Sequence, residues 1–199
     1  MTRVLLATRN AKKLRELRRI LDAEGVSGIE LDGLADVEEF DETPETAATF
    51  EENALAKARD AAAATGLPSI ADDSGISVDA LNGMPGVLSA RWAGRHGDDQ
   101  ANLELVLAQT ADVPDERRGA AFVCAAALVV PDGQEQVVRG EWRGELTRKA
   151  SGTNGFGYDP IFRPEGETRT SAELDPAEKD ESSHRGRALR LLLPYLREL

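Results

Sequence analysis

Apolar positions recur along the chain with two periods, and the alternation between them predicts the order of its elements. Val4, Leu5, Leu6 and Ala7 form a short continuous apolar run, which reads as a buried strand. Asn10 follows as a helix cap, and Leu14, Leu17, Ile20 and Leu21 then fall on one helical face before Gly25 closes it. The chain therefore opens as strand, tight turn and helix. A second helix is predicted to start at Thr49, because Thr49 and Glu52 have the spacing of a capping box. Its apolar stripe is Phe50, Ala54, Ala58 and Ala61, and Gly66 supplies the stop. Beyond Pro68, Ser69-Ile70-Ala71 reads as a short strand ending at Asp72-Asp73-Ser74-Gly75, after which Ile76, Val78 and Ala80 alternate with polar residues like a half-buried strand. Two acids are thus expected at a strand-to-turn junction.

A third helix over residues 99–110 puts Leu103, Val106 and Leu107 on one side and reads as scaffold. Residues 122–130 and 135–138 flank Pro131-Asp132-Gly133, a turn signal that predicts an antiparallel hairpin. Near the C-terminus Leu189, Leu192, Leu193 and Leu196 have the spacing of a core-facing helix, in which Pro194 should bend or tighten the last turns. Early strand–helix alternation with a later hairpin predicts an α/β fold with a mixed sheet and helices on both faces. No repeat or linker interrupts residues 1–199, so one folding unit is expected.

Charge then narrows the partners. With 24 Lys+Arg against 36 Asp+Glu the net charge is −12, which repels a nucleic-acid backbone, and no basic run opposes it. The longest apolar stretch, residues 120–130, is half of the roughly 20 residues a membrane helix needs. Residues 1–7 are too short for a signal-peptide core, so a cytoplasmic protein without membrane contact is expected. Cys124 is the only cysteine; it lies in the apolar stretch and reads as a small buried hydrophobe.

Four constellations could carry chemistry. Thr8-Arg9-Asn10-Ala11-Lys12-Lys13 gathers cations at a helix start, where the macrodipole and unpaired N–H groups already favour an anion such as phosphate. The bland alternative is a solvated basic turn. Asp72 and Asp73, with the acid-rich Asp36, Glu38, Glu39, Asp41, Glu42 and Glu45, offer hard oxygen ligands suited to Mg²⁺. Because side chains alternate along a strand, only one of the adjacent pair should face the site. Gly155-Phe156-Gly157-Tyr158-Asp159-Pro160 could lay an aromatic ring against a nucleobase or form an ordinary turn. Lys179 with Ser183-His184-Arg185 could serve the same pocket or form an exposed first helical turn.

Taken together, Thr8-Arg9-Asn10 with Lys13, Thr49-Phe50-Glu51-Glu52-Asn53-Ala54 with Lys57-Ala58, Ala71-Asp72-Asp73-Ser74-Gly75, Gly155-Phe156-Gly157-Tyr158-Asp159-Pro160 and Ser183-His184-Arg185-Gly186 resemble the inosine triphosphate pyrophosphatase family, in its bacterial dITP/XTP pyrophosphatase branch. The resemblance spans nearly the whole chain. It implies a single two-lobed α/β domain with a long mixed sheet, a nucleotide cleft between the lobes, Mg²⁺ dependence and a homodimer. The implied reaction cleaves ITP, dITP or XTP to the monophosphate and pyrophosphate.

By position, Thr8, Arg9, Asn10, Ala11, Lys12 and Lys13 would hold the triphosphate, with Lys13 also stabilising the leaving group. Asp73 would be the catalytic carboxylate, Asp73 and Glu45 the metal ligands, and Ser74 a substrate contact. Phe156, Gly157, Tyr158, Asp159, Lys179, His184 and Arg185 would form the base and sugar pocket. Arg9 stands where the family usually has glycine, and Pro44 where many relatives have the first of two glutamates. Two rival readings remain: a non-catalytic nucleotide sensor, and a phosphatase with an aspartyl nucleophile, for which the usual Asp-x-Asp spacing is lacking.

Overall fold

The computed structural model describes residues 1–41, 44–131 and 133–199; Glu42 of the acidic segment and Asp132 of the turn signal lie outside them. In chain order the elements are β1 (Thr2–Leu6), α1 (Ala11–Ala23), β2 (Ile29–Gly33), α2 (Phe50–Thr65), β3 (Ser69–Val78), α3 (Asp99–Gln109), β4 (Gly119–Val129), β5 (Glu135–Leu146), β6 (Phe162–Pro164), α4 (Pro176–Ser182) and α5 (His184–Leu196). The strands form one sheet in the order β2-β1-β3-β4-β5-β6. It is mixed: β1 runs parallel to β2 and β3, and β6 antiparallel to β5. Among the described residues no helix is long and apolar enough to cross a membrane.

The chain divides into two compact units, Met1–Asp73 with Cys124–Gly140 and Arg185–Leu199, and Ser74–Val123 with Glu141–His184. In the first, strand alternation sorts side chains between two layers of helices. Val4, Leu6, Ile70, Cys124, Ala126 and Leu128 pack with Leu17, Ile20 and Leu21 of α1 and with Leu189, Leu192, Leu193 and Leu196 of α5. Leu5, Ala71, Ala125 and Ala127 point to the opposite face and are fully buried. The helix α2, whose inner stripe of Phe50, Ala54, Ala58 and Ala61 is also buried, serves that side. The second unit has its own core, built on Ile76, Val78, Ala120, Phe122, Trp142, Ile161 and Phe162, with Leu103 and Val106 of α3.

The helix caps form as their residues dictate. Asn10 Oδ1 accepts the Lys12 N–H at 2.9 Å. Thr49 Oγ1 accepts the Glu52 N–H at 3.2 Å and donates to the Glu52 carboxylate at 3.0 Å, so the second arm of the expected box ends on the hydroxyl. Gly66 ends α2 in the left-handed region at φ +68°. The helix α5 continues through Pro194 to Leu196.

One expectation fails in an informative way. Asp72-Asp73-Ser74-Gly75 is not a turn; β3 runs unbroken for 10 residues, from Ser69 to Val78, and both acids lie inside it. Gly75 marks a close approach of chains instead: a Cβ there would stand 2.3 Å from Ser89 Oγ and 2.5 Å from the Gly86 carbonyl. Ala80, expected in the strand, lies in a short 3-10 turn beyond it. The hairpin's second strand is also longer than its apolar pattern suggests, because β5 carries a polar outer face as far as Leu146.

Candidate functional site

The first unit holds a charged cluster made by β3 and the helices around it. The loop into α1 is folded by its own side chains, with the Asn10 N–H on Thr8 Oγ1 at 3.1 Å. Asn82 is the only non-glycine residue at positive φ among the described residues, so Arg9 needs no glycine-like backbone. Arg9 and Lys12 are exposed, and Arg9 lies 3.7 Å from Glu39. Lys13, one turn into α1, reaches inward to Asp72 at 2.8 Å.

The pleat of β3 then separates the adjacent acids. Asp72 faces α1 and α5, where Lys13 and Arg185 share its Oδ2, Arg185 at 3.3 Å. Arg185 also binds Glu16 at 2.8 Å and is only 3% exposed. Burial works against the Asp72 anion, but Lys13, Arg185 and Lys57 outweigh it and hold the carboxyl well below the usual range. Cys124 sits beside it, its Sγ 3.9 Å from Asp72 Oδ2, and burial pushes the thiol up.

Asp73 points the other way, toward α2, where Asn53 Nδ2 donates to its Oδ2 at 2.9 Å. Here burial dominates and raises the carboxyl pKa, with Lys57 and the Asn53 hydrogen bond opposing it and the Glu45 charge adding to it. One turn along α2, Lys57 donates to Glu45 Oε1 and to the Asp72 carbonyl, both at 2.6 Å. Burial disfavours that ammonium, yet Asp72, Glu45 and Asp73 together keep its pKa above the ordinary lysine value. Asn53 also accepts the Ala47 N–H at 3.0 Å, tying the segment that carries Glu45 to the same helix. The result is a raised-pKa carboxylate beside a firmly protonated lysine, the polarity a general base and an oxyanion stabiliser require.

Whether this donor set suits a divalent ion can be judged from its chemistry. Among the described residues no three His, Cys, Asp or Glu side chains converge as a prebuilt cation site. Asp73 and Glu45 are two hard carboxylates close enough to repel one another. An ion of the Mg²⁺ type takes one or two carboxylates and completes its shell with water and phosphate oxygens, so this pair fits.

The second unit holds a separate, largely apolar pocket lined by Ser74, Gly75, Ser89, Phe122, Phe156, Gly157, Tyr158, Lys179 and His184, with Asp99 at its side. The His184 ring stacks on Phe122, centroids 4.9 Å apart and 14° from parallel. Lys179 Nζ lies 5.4 Å from the centre of the Phe156 ring and 2.5 Å from Asp159. Asp159 is buried and organises the loop: it also accepts the Phe156 N–H at 2.8 Å and the Ser171 hydroxyl at 2.7 Å. Gly155, at φ +74°, is obligatory because a Cβ would lie 2.0 Å from the Asp159 carboxylate. Tyr158 turns its hydroxyl to the Ser89 carbonyl at 2.7 Å, closing the pocket wall.

The sequence-predicted residues therefore fall into two groups. Lys13, Asp73 and Glu45 belong to the charged cluster, with Thr8, Arg9, Asn10, Ala11 and Lys12 at its helix entrance. Ser74, Phe156, Gly157, Tyr158, Asp159, Lys179 and His184 form the pocket. Arg185 departs from its expected place. Its guanidinium lies buried between Glu16 and Asp72, because one residue after His184 the helix has turned it toward the charged cluster. Neither His184 nor Arg185 is an exposed first turn; both are buried. Lys57, Asn53 and Glu16 were not anticipated as site residues. Thr49, Asn53 and Lys57 recur every fourth residue, and Glu16 follows Lys13 by three, so helical spacing carried a signal for each. Asp99 had none, since it reads as part of a scaffold helix.

Residues 4–195 match the Ham1 family. A protein of Nocardia farcinica named dITP/XTP pyrophosphatase is 70% identical over 199 residues, covering 100% of this chain and 97% of its own. A Mycobacterium tuberculosis protein of the same name is 66% identical over 199 residues, covering 100% of this chain and 97% of its own. Among solved structures, a Mycobacterium abscessus nucleoside-triphosphatase, dITP/XTP pyrophosphatase, superposes with a TM-score of 0.80 at 64% identity, over 98% of this chain and 100% of the other. A Coxiella burnetii HAM1 protein gives 0.87 at 42% identity, over the full length of both.

Proposed function

This chain belongs to the Ham1 family, and from that membership we propose that it hydrolyses the non-standard purine nucleoside triphosphates dITP, XTP and ITP. The bond cut joins the α and β phosphates, and the products are the monophosphate and pyrophosphate. The observation that carries the reading is the placement of Asp73, held by the Asn53 amide at 2.9 Å, beside Lys57, which donates to Glu45 and to the Asp72 carbonyl at 2.6 Å. Burial raises the proton affinity of Asp73, while the neighbouring acids hold Lys57 protonated.

Asp73 orients the attacking water and takes its proton, a role worth about 10² to 10⁴ in rate. Lys57 and Lys13 present fixed positive charge to the phosphate oxygens as negative charge develops on the leaving pyrophosphate. The N–H groups at the start of α1 add to that field. Asp73 and Glu45 are the residues that would hold Mg²⁺, which when bound neutralises charge on the phosphate tail.

The pocket of the second unit accepts the base. Phe156 and the His184 ring offer flat faces to a purine, and Lys179 offers a donor. Hypoxanthine and xanthine present an acceptor at O6 and a donor at N1, whereas adenine reverses both. A site that must leave a buried donor unpaired against adenine discriminates by about 10⁴.

The test is a panel of purified nucleoside triphosphates with Mg²⁺, resolving pyrophosphate from orthophosphate. Pyrophosphate from dITP, XTP and ITP with little from ATP is expected. Equal kcat/KM for ITP and ATP refutes the pocket assignment, and orthophosphate as first product refutes the bond assignment. The same reading carries a homodimer in the cytoplasm, which sedimentation and cell fractionation measure.

A further inference from the structure

We propose that Asp99 is a positioning residue for base recognition, clamping the Phe156–Gly157 peptide beside the pocket; the role rests on the functional reading above. Two consecutive backbone N–H groups of the aromatic loop end on carboxylates from different elements. The Phe156 N–H goes to Asp159 at 2.8 Å, and the Gly157 N–H goes to Asp99 at 2.9 Å, across 58 residues of sequence. The Asp159 half is fixed by packing, since that carboxylate is buried and bound by Lys179 and Ser171.

In the Gly157 half, the carbonyl of the same peptide accepts the Asp159 N–H at 3.3 Å, and its N–H turns out of the loop to Asp99. Gly157 is at φ +61°, with open space where a Cβ would stand. The Asp99 bond ties that peptide to an element outside the loop. Its anchor is rigid, because Asp99 is the first residue of α3, which Asp98 caps at the Ala101 N–H and which Leu103 and Val106 fix in the core. Asp99 is itself exposed, so burial makes no demand for this bond. With both N–H groups held, the Phe156 ring between them is presented to the base in one orientation, and ordering is done before the ligand arrives.

The experiment compares Asp99→Ala and Asp99→Asn in the full-length protein, with ITP as substrate. Asp99→Ala is expected to raise KM about tenfold with kcat within about twofold, because the base is remote from the reacting phosphate. Asp99→Asn keeps a carbonyl acceptor for Gly157 and should restore KM to within about threefold. Inhibition by inorganic pyrophosphate, which does not occupy the base pocket, should not change in either variant. Amide hydrogen exchange at Gly157 should be slow in wild type and Asp99→Asn, and fast in Asp99→Ala. Unchanged KM in Asp99→Ala, or equal loss in Asp99→Asn and Asp99→Ala, overturns the clamp while ITP hydrolysis by wild type leaves the functional reading standing. A wild-type protein that does not hydrolyse ITP overturns both.

Discussion

Replacing each of the adjacent acids of β3 by asparagine should give opposite results. Asp72 is 4% exposed and neutralises Lys13 at 2.8 Å and Arg185 at 3.3 Å. Removing one partner of a buried ion pair typically costs about 3–5 kcal/mol. Arg185 retains Glu16 at 2.8 Å, which places Asp72→Asn at the lower end. About 3 kcal/mol corresponds to a fall in Tm of about 6–12 °C for a chain of this size. The folded pKa of Asp72 lies below its unfolded value, so its stabilisation is complete above about pH 4 and is lost as pH falls further. The gap in Tm between wild type and Asp72→Asn should therefore close in acid.

For Asp73 the sign reverses. Burial raises its folded pKa, so the folded state binds a proton more tightly than the unfolded chain, and the ionised carboxylate opposes folding at neutral pH. Asp73→Asn removes that cost and still offers an oxygen to Asn53. Its Tm should equal or exceed that of wild type, while pyrophosphate release falls by about 10² to 10⁴ and nucleotide still binds. Calorimetry at neutral and acid pH, with a pyrophosphate assay on the same samples, decides both. A wild-type Tm for Asp72→Asn, or a Tm for Asp73→Asn as low as that of Asp72→Asn, refutes the assignment of the two carboxylates to different faces.

Lys57→Gln should lower kcat by about 10²-fold or more, and it should move the acid limb of the pH–rate profile upward, because Lys57 is a principal influence holding the Asp73 pKa down. A lower kcat with an unmoved acid limb would separate Lys57 from the base. Chelation of divalent ions should abolish turnover, and added Mg²⁺ should restore it; full activity in excess chelator would remove Asp73 and Glu45 as ion ligands. Gly155→Ala places a methyl 2.0 Å from the Asp159 carboxylate at a positive φ, so KM for ITP should rise while inhibition by pyrophosphate stays at the wild-type level.

Much of the scaffold was legible because it is written in local chemistry. Asn10, Thr49 and Gly66 delimit helices by bonds made within a few residues, and the alanine stripe of α2 follows from helical period alone. Gly75 was misread for the opposite reason. A glycine that opens a turn and one that admits a neighbouring chain look alike in sequence, and only the position of Ser89, 14 residues on, distinguishes them. In the same way, the spacing of Ser183-His184-Arg185 gives no hint that successive residues serve the pocket and the charged cluster.

The sequence by itself determined the order of β1, α1, α2, β3, α3, β4, β5 and α5 and, through strand alternation, that Asp72 and Asp73 must part company, whereas β2, β6 and α4 carried too short a pattern to be read. Tertiary structure decided which of them became the counter-ion of buried cations and which the carboxyl of raised proton affinity. That choice depends on which helices cover each face of β3: two cations from α1 and α5 reach Asp72, whereas an amide from α2 reaches Asp73. Desolvation and Coulomb interaction act through space, so groups more than 100 residues apart in the chain set the proton affinity of one carboxylate.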